Sequence, residues 1–294
     1  MKDFDIGNRQ LIFLTGKGGI GKSLLTSALA LRASKQGLKV QVVQKAAKDH
    51  LGALFGVQNV NHEFVDVNKS LSVANFTTGG NFRDFVVKHL KRGSLFETLA
   101  SNKVVHSFFG AIPGFGELMM LGRLYYMLNL APEKPDLVIV DSFASGHFLS
   151  LMTTPTAVLE SGLSGPISKE TESVRNFLAD QARVGVVLVG VPEDLVVSEM
   201  IDFIPQIDKR SPAKLISVVF NRVLHDSGKA FDSDFLARRL AMQKSAMQKW
   251  RMFSESDGCK QINHFEVPDV GFIEEPVSEE LVETLLKFSG RPLK

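Results

Sequence analysis

The sequence predicts an α/β fold that opens on a β-α-β unit of a parallel sheet, and three observations predict it. The first is the stretch Gln10 to Ser23, QLIFLTGKGGIGKS, where the short apolar run Leu11–Leu14 breaks into a glycine-rich loop. From Lys22 onward the apolar spacing is helical, with Leu25, Ala28, Leu29 and Arg32 in phase and Gly37 where a left-handed C-terminal glycine belongs. The second is the next apolar run, Leu38–Val43, which completes the unit. The third is the recurrence of such runs further on: Leu137–Val140, the stretch from Ala182, and Leu215–Phe220. The unbroken runs suit strands covered on both faces, which have no polar side to alternate toward.

The loop carries the first chemistry. Gly16, Gly21, Lys22 and Ser23 match G-x-x-x-x-G-K-S/T, with Gly18 and Gly19 between them. Glycines without Cβ let backbone N–H groups turn inward around a polyphosphate, and the following helix adds its positive N-terminal end. Lys22 supplies a mobile charge for the β and γ phosphates, and the Ser23 hydroxyl suits Mg²⁺. The ligand implied is ATP or ADP with Mg²⁺. Lys17, directly after Gly16, is a second loop lysine.

Composition sets limits on the rest. A net charge of +2 with no basic run interleaved with aromatics argues against nucleic acid as the main partner. The single cysteine, Cys259, excludes an internal disulfide, a CxxC zinc site, a thiolate-held iron–sulfur cluster and a cysteine cluster for arsenite. The seven histidines lack ligand spacing. The N-terminus MKDFDIGNRQ is too acidic and polar for a signal peptide, and the longest apolar runs are of strand length. The expected location is the cytoplasm, with a peripheral place at the inner membrane left open.

Later segments add further signals. Leu137–Val140 ends in Asp141, a carboxylate at a strand end where it can hold a Mg²⁺ shell, followed by Ser145, Gly146 and His147. Asn81 to Asn129 is helical and rich in Phe, Leu and Met, a pattern that fits core packing or an adaptable partner or client surface. Residues 57–76 read as a polar connector with one short strand, LSVANF. Residues 225–253 form a basic helix with Arg238, Arg239, Lys244, Lys249 and Arg251, which fits a solvated face or contact with an acidic membrane or partner.

Together the motifs resemble the ArsA-type ATPases, within the MinD/ParA superclass of P-loop NTPases with a deviant Walker A loop. GKGGIGKS carries the loop; Asp141, Gly146 and His147 resemble that family's switch II, with Phe143 and Ala144 in place of its alanine and proline. Pro113, Gly114 and Glu117 resemble its P-G-x-x-E segment, and Pro192, Glu193 and Glu199 its P-E-x-L-x-x-x-E run. The resemblance implies a doubly wound, mainly parallel sheet over residues 1–294 as one domain, with helical subdomain segments near 81–130 and 153–181. It implies that Lys17 reaches a partner's nucleotide across a dimer, that Gly146 approaches the γ-phosphate, that Asn221 pairs with the adenine edge and that Pro268 begins the loop covering the base. The dimer is a homodimer or a heterodimer with a paralogue, acting on a protein client that is membrane-associated in some family members.

Two departures stand out. The position of the family's switch I aspartate, which positions the attacking water, falls on Ala46, while Lys45 and Lys48 flank the gap. Asp49 reads as a charge at the start of the following helix. A missing water-positioning group costs a factor of ~10²–10⁴ in rate, so the expectation is a nucleotide binder with weak hydrolysis, or a pseudo-ATPase paired with an active paralogue. The stretch between Met152 and Val184 leaves little room for the Met-rich insertion of members that deliver tail-anchored proteins, and the acidic last helix, EELVETLLKF, is unlike the membrane-targeting helix of MinD proteins.

Overall fold

The computed structural model describes residues 7–89, 114–162, 164–224, 234–255, 262–271 and 276–286. Cys259 and the segment 90–113, which includes Pro113, lie outside the described residues, as does part of the loop after Pro268. In chain order the strands are β1 (Leu11–Thr15), β2 (Val40–Gln44), β3 (Val65–Asn68), β4 (Leu71–Asn75), β5 (Leu137–Asp141), β6 (Val184–Gly190), β7 (Leu215–Val223) and β8 (Asn263–Pro268). They form one eight-stranded sheet in the order β3-β4-β2-β5-β1-β6-β7-β8. Every pairing is parallel except β3 with β4.

The helices among the described residues are α1 (Lys22–Lys35), α2 (Leu51–Phe55), α3 (Thr78–His89), α4 (Phe115–Asn129), α5 (Ser145–Glu160), α6 (Pro166–Leu178), α7 (Asp194–Arg210), α8 (Asp234–Ser254) and α9 (Glu279–Leu286). Parallel crossovers are right-handed, so the direction of each step along the sheet decides its helix's face. The step from β1 to β2 runs opposite to the steps β5→β6→β7→β8, which sends α1 to one face and α5 to α8 to the other. The packing agrees: α1 lies against α2 and α9, whereas α5 touches α6 and α7, and α7 touches α8. None of these helices is long and apolar enough to cross a membrane.

Burial explains the sequence pattern. β1 and β6 are buried at every residue, as strands covered on both faces must be. The edge strand β3 alternates between half-buried and exposed, which is why VDVN carries too weak an apolar signal to stand out from a connector. Gly37 follows α1 at φ 92°, the left-handed stop expected of it.

Helices α3 to α6 pack on one another beside the sheet, α3 on α4 and α4 on both α5 and α6. Phe82 meets Phe115 at 5.9 Å between ring centroids, and Tyr125 meets Phe177 edge-on at 5.7 Å. A polar knot fastens this group to β4. Arg123 of α4 lies 3.9 Å from the Phe76 ring centroid and pairs with Asp84 of α3 at 2.9 Å. His62, before β3, contacts both Asp84 and Arg123. These partners hold the Asp84 carboxyl below its ordinary range although its burial pulls the other way.

Candidate functional site at the sheet's C-terminal rim

The loop after β1 takes its shape from glycine. Gly16, Gly19 and Gly21 have φ of 145°, 77° and 91°, a region that side chains with a Cβ rarely enter. A Cβ on Gly16 would strike the Val189 carbonyl of β6, and one on Gly21 would strike the side-chain amide of Asn221. Gly18 differs: its φ is ordinary and a Cβ there would meet no heavy atom within 4 Å. Neither strain nor internal packing demands glycine at 18, so the space it leaves open is free for something outside the chain.

Lys22 bends back over the loop and donates to the carbonyl oxygens of Gly16 at 3.1 Å and Lys17 at 2.8 Å. Burial lowers the pKa of its ammonium, and the Asp141 carboxylate opposes that shift. Ser23, in the first turn of α1, donates to Asp141 Oδ2 at 2.6 Å, joining the start of α1 to the end of β5. Burial raises the Asp141 pKa, with Ser23, Lys22 and His50 pulling it back down. Thr15 Oγ1 donates to the Phe143 carbonyl at 3.1 Å, tying the loop after β5 to the base of the loop after β1.

Two helix N-termini converge here. Neither α1 nor α5 has a side-chain cap or an acidic residue in its first turn, and Gly146 is the second residue of α5, with open space where a Cβ would be. Uncapped N–H groups and positive dipole ends make such a corner receptive to anions. Mg²⁺ passes the same test: a hydroxyl and a carboxylate whose ionised form is penalised by burial are the hard oxygen donors that this cation prefers. Ser23 and Asp141 would hold it.

Other predicted residues sit around this centre. Lys17 forms an ion pair within its own chain, to Glu199 of α7 at 2.8 Å. Asn221, near the end of β7, is buried, and its Nδ2 donates to the Ile20 carbonyl at 2.8 Å. Pro268 ends β8 in register with Val223 of β7, two residues beyond Asn221.

The rim at β2 is built otherwise. Ala46 has both backbone groups tied to Asn75 at the end of β4, its N–H donating to Oδ1 at 3.0 Å and its carbonyl accepting from Nδ2 at 3.1 Å. Asp49 turns into the start of α2, where Oδ1 accepts from the N–H groups of Leu51 and Gly52 and from Gln44 Nε2 at 2.6 Å. Sequence reasoning missed the partners of Lys45: Glu117 at 4.0 Å and the Phe143 ring, 5.6 Å from the ammonium to the centroid. Nothing local in the sequence signals contacts between residues so far apart along the chain.

Comparison with known proteins bears on this geometry. Residues 9–168, more than half of the chain, match the anion-transporting ATPase family. The chain belongs to that family. The ATPase BagA of Mycobacterium tuberculosis is 25% identical over 228 residues, covering 72% of this chain and 65% of the relative. The putative arsenical pump-driving ATPase 2 of Aquifex aeolicus is 26% identical over 155 residues, 49% of each chain. The ATPase get3 of Aspergillus terreus is 26% identical over 156 residues, 52% of this chain and 45% of that one. The chain thus spans between about half and two thirds of the length of these relatives. The matched span holds the glycine loop, Ala46 and Asp141, whereas Glu199, Asn221 and Pro268 lie beyond it.

Proposed function

We propose that this chain binds ATP and ADP with Mg²⁺ at the corner between β1 and β5, and that its nucleotide state governs its association with a protein partner. The observation that carries the reading is the closed set Lys22, Ser23 and Asp141, seated under two uncapped helix N-termini. The glycines at 16, 18, 19 and 21 let the loop wrap the phosphates, Lys22 neutralises them, and Gly146 lets backbone N–H groups of α5 approach the outermost one. Ser23 and Asp141 would hold Mg²⁺, which when bound would screen charge on the phosphate oxygens. Asn221 supports the loop from below and Pro268 lies on the side where the base would be covered. The proposed workplace is the cytoplasm, including the inner membrane's surface.

Hydrolysis is slow in this reading, because Ala46 offers no carboxylate and Asp49 is committed to α2. A second reading follows from the same residue: the chain is the regulatory half of a heterodimer whose paralogue supplies the missing aspartate. In either form Lys17 is the group that crosses to the partner's nucleotide, giving up Glu199 to do so. Such a crossing lysine acts as an arginine finger does.

Calorimetric titration with Mg²⁺–ATP tests the site. Lys22→Ala should lower affinity by a factor of 100 or more, on the order of 3 kcal/mol for a buried charge lost from phosphate. Unchanged affinity refutes the site. Light scattering tests the dimer: Mg²⁺–ATP should raise the mass of the wild type toward twofold and that of Lys17→Ala less. A monomer at every nucleotide concentration, alone and with a co-expressed paralogue, refutes the crossing lysine.

A further inference from the structure

We propose that Lys45 reads the terminal phosphate of the bound nucleotide, leaving Glu117 to do so, and thereby carries nucleotide state to helix α4. The inference rests on the nucleotide site proposed above and extends it to a residue that the phosphate-loop motif does not contain.

Position is the first ground. Gln44, the last residue of β2, stands in register with Asp141 of β5, and Asp141 with Leu14 of β1. Lys45 is therefore one residue past the level of Asp141, just beyond the end of the neighbouring strand, at the same rim from which the glycine loop rises. Its ammonium lies near the Phe143 ring, and the Phe143 carbonyl is held by Thr15 at the foot of that loop.

The second ground is how Lys45 is held. Its side chain is only 19% exposed, yet its partner Glu117 is 4.0 Å away. That separation is too long for a hydrogen bond, so the ammonium is attracted to the carboxylate without being bonded to it. A phosphate oxygen would offer a direct, charge-assisted bond in exchange. The third ground is charge. Lys45 puts a cation directly beside Ala46, and a cation at this rim favours the nucleotide with the additional negative phosphate.

Glu117 gives the exchange a consequence. It sits in the first turn of α4, where its charge suits the helix dipole. The neighbouring Gly116 is packed so closely that a Cβ would lie 3.0 Å from Thr78 of α3 and 3.6 Å from the Lys45 ammonium. Lys45, the start of α3 and the start of α4 thus meet at one junction. Withdrawing the lysine leaves Glu117 without its counter-charge and shifts the balance at that junction.

The test compares Mg²⁺–ADP with Mg²⁺ and a non-hydrolysable ATP analogue, by calorimetry on the whole chain. Lys45→Met keeps the apolar stem beside Phe143 and removes the charge. It should lose about 10- to 100-fold in analogue affinity while ADP affinity stays within about twofold. Glu117→Gln should move the other way and raise the analogue-to-ADP ratio, since the lysine loses its competitor. A purely structural pair would lower the melting temperature in both variants and leave both ratios alone, which overturns the inference. If Lys45→Met does not fold, Glu117→Gln decides by itself: an unchanged or reduced ratio overturns it. A wild type that binds both nucleotides, with the ratio retained in Lys45→Met, sinks this inference alone. A wild type that binds neither removes the nucleotide site as well.

Discussion

The sheet's C-terminal rim is built in two ways on the two sides of β5. Toward β1, side chains close on one another across the gap between elements: Ser23 on Asp141, Lys22 on the loop carbonyls, Thr15 on the Phe143 carbonyl. Toward β2, two of the polar side chains are spent on the backbone beside them. Asn75 occupies the backbone of Ala46, and Asp49 satisfies the start of α2. Gripping a polyphosphate and aligning a water are separate tasks, and the proposed function gives this rim the first on one side without the second on the other.

The contrast can be broken most forcefully at Ala46. Its backbone is already fixed at both the N–H and the carbonyl, so a carboxylate there would be held rather than floppy. Ala46→Asp should raise phosphate release about 10- to 100-fold, part of the range a positioned base supplies. An unchanged rate, with nucleotide affinity intact, would show that the β2 side lacks more than one carboxylate. Next in size is Ser23→Ala, which removes the hydroxyl facing Asp141. It should weaken ATP binding about tenfold when Mg²⁺ is present and much less in excess chelator, a difference of roughly 1.4 kcal/mol. Equal losses in both conditions would detach Ser23 from the metal.

Asp49→Ala sharpens the comparison from the other direction. Losing the oxygen that caps α2 should cost about 0.5–2 kcal/mol in urea unfolding and leave turnover unchanged. A fall in turnover would make Asp49 the hydrolytic carboxylate and erase the difference between the two sides. The smallest effect belongs away from the rim, at His264 of β8. Burial, with a lesser push from Arg251, holds its pKa below the ordinary 6.5. The folded chain keeps this ring neutral while the unfolded chain takes up a proton, so the contribution is complete above pH 6.5 and is lost as pH falls through the folded value. Melting curves between pH 7.5 and about 5.5 should show a drop that His264→Gln reduces, with ATP affinity tracking neither.

Legibility in the sequence followed the range of the interaction. The glycine loop, the strand before it and the helix after it are contiguous, and the continuous apolar runs of β1, β5 and β6 announce their own burial. Asp141 was visible because it ends such a run. The edge strand β3 was not, since two half-buried valines do not distinguish a strand from a connector. Contacts between distant segments were hidden altogether. Lys17 and Glu199 both stand in motifs, yet nothing in 182 residues of separation hints that they meet. The same holds for Arg123, whose stacking on Phe76 and pairing with Asp84 anchor α4 and answer to no local pattern. Asn221 stands out in the sequence for its amide, but the place of that amide as a buried brace under Ile20 answers to no local pattern.

That brace bears on the thermodynamics of filling the site. With Asn221 donating to Ile20 from below, occupying the space beside Gly21, and Lys22 drawn onto the carbonyls of Gly16 and Lys17, the chain's own contacts set the curvature of the loop. The conformational entropy of shaping it is settled when the chain folds, not when nucleotide binds. Association should therefore resemble the filling of a finished mould: Lys22 exchanges its carbonyl partners for phosphate oxygens, and the loop backbone hardly moves.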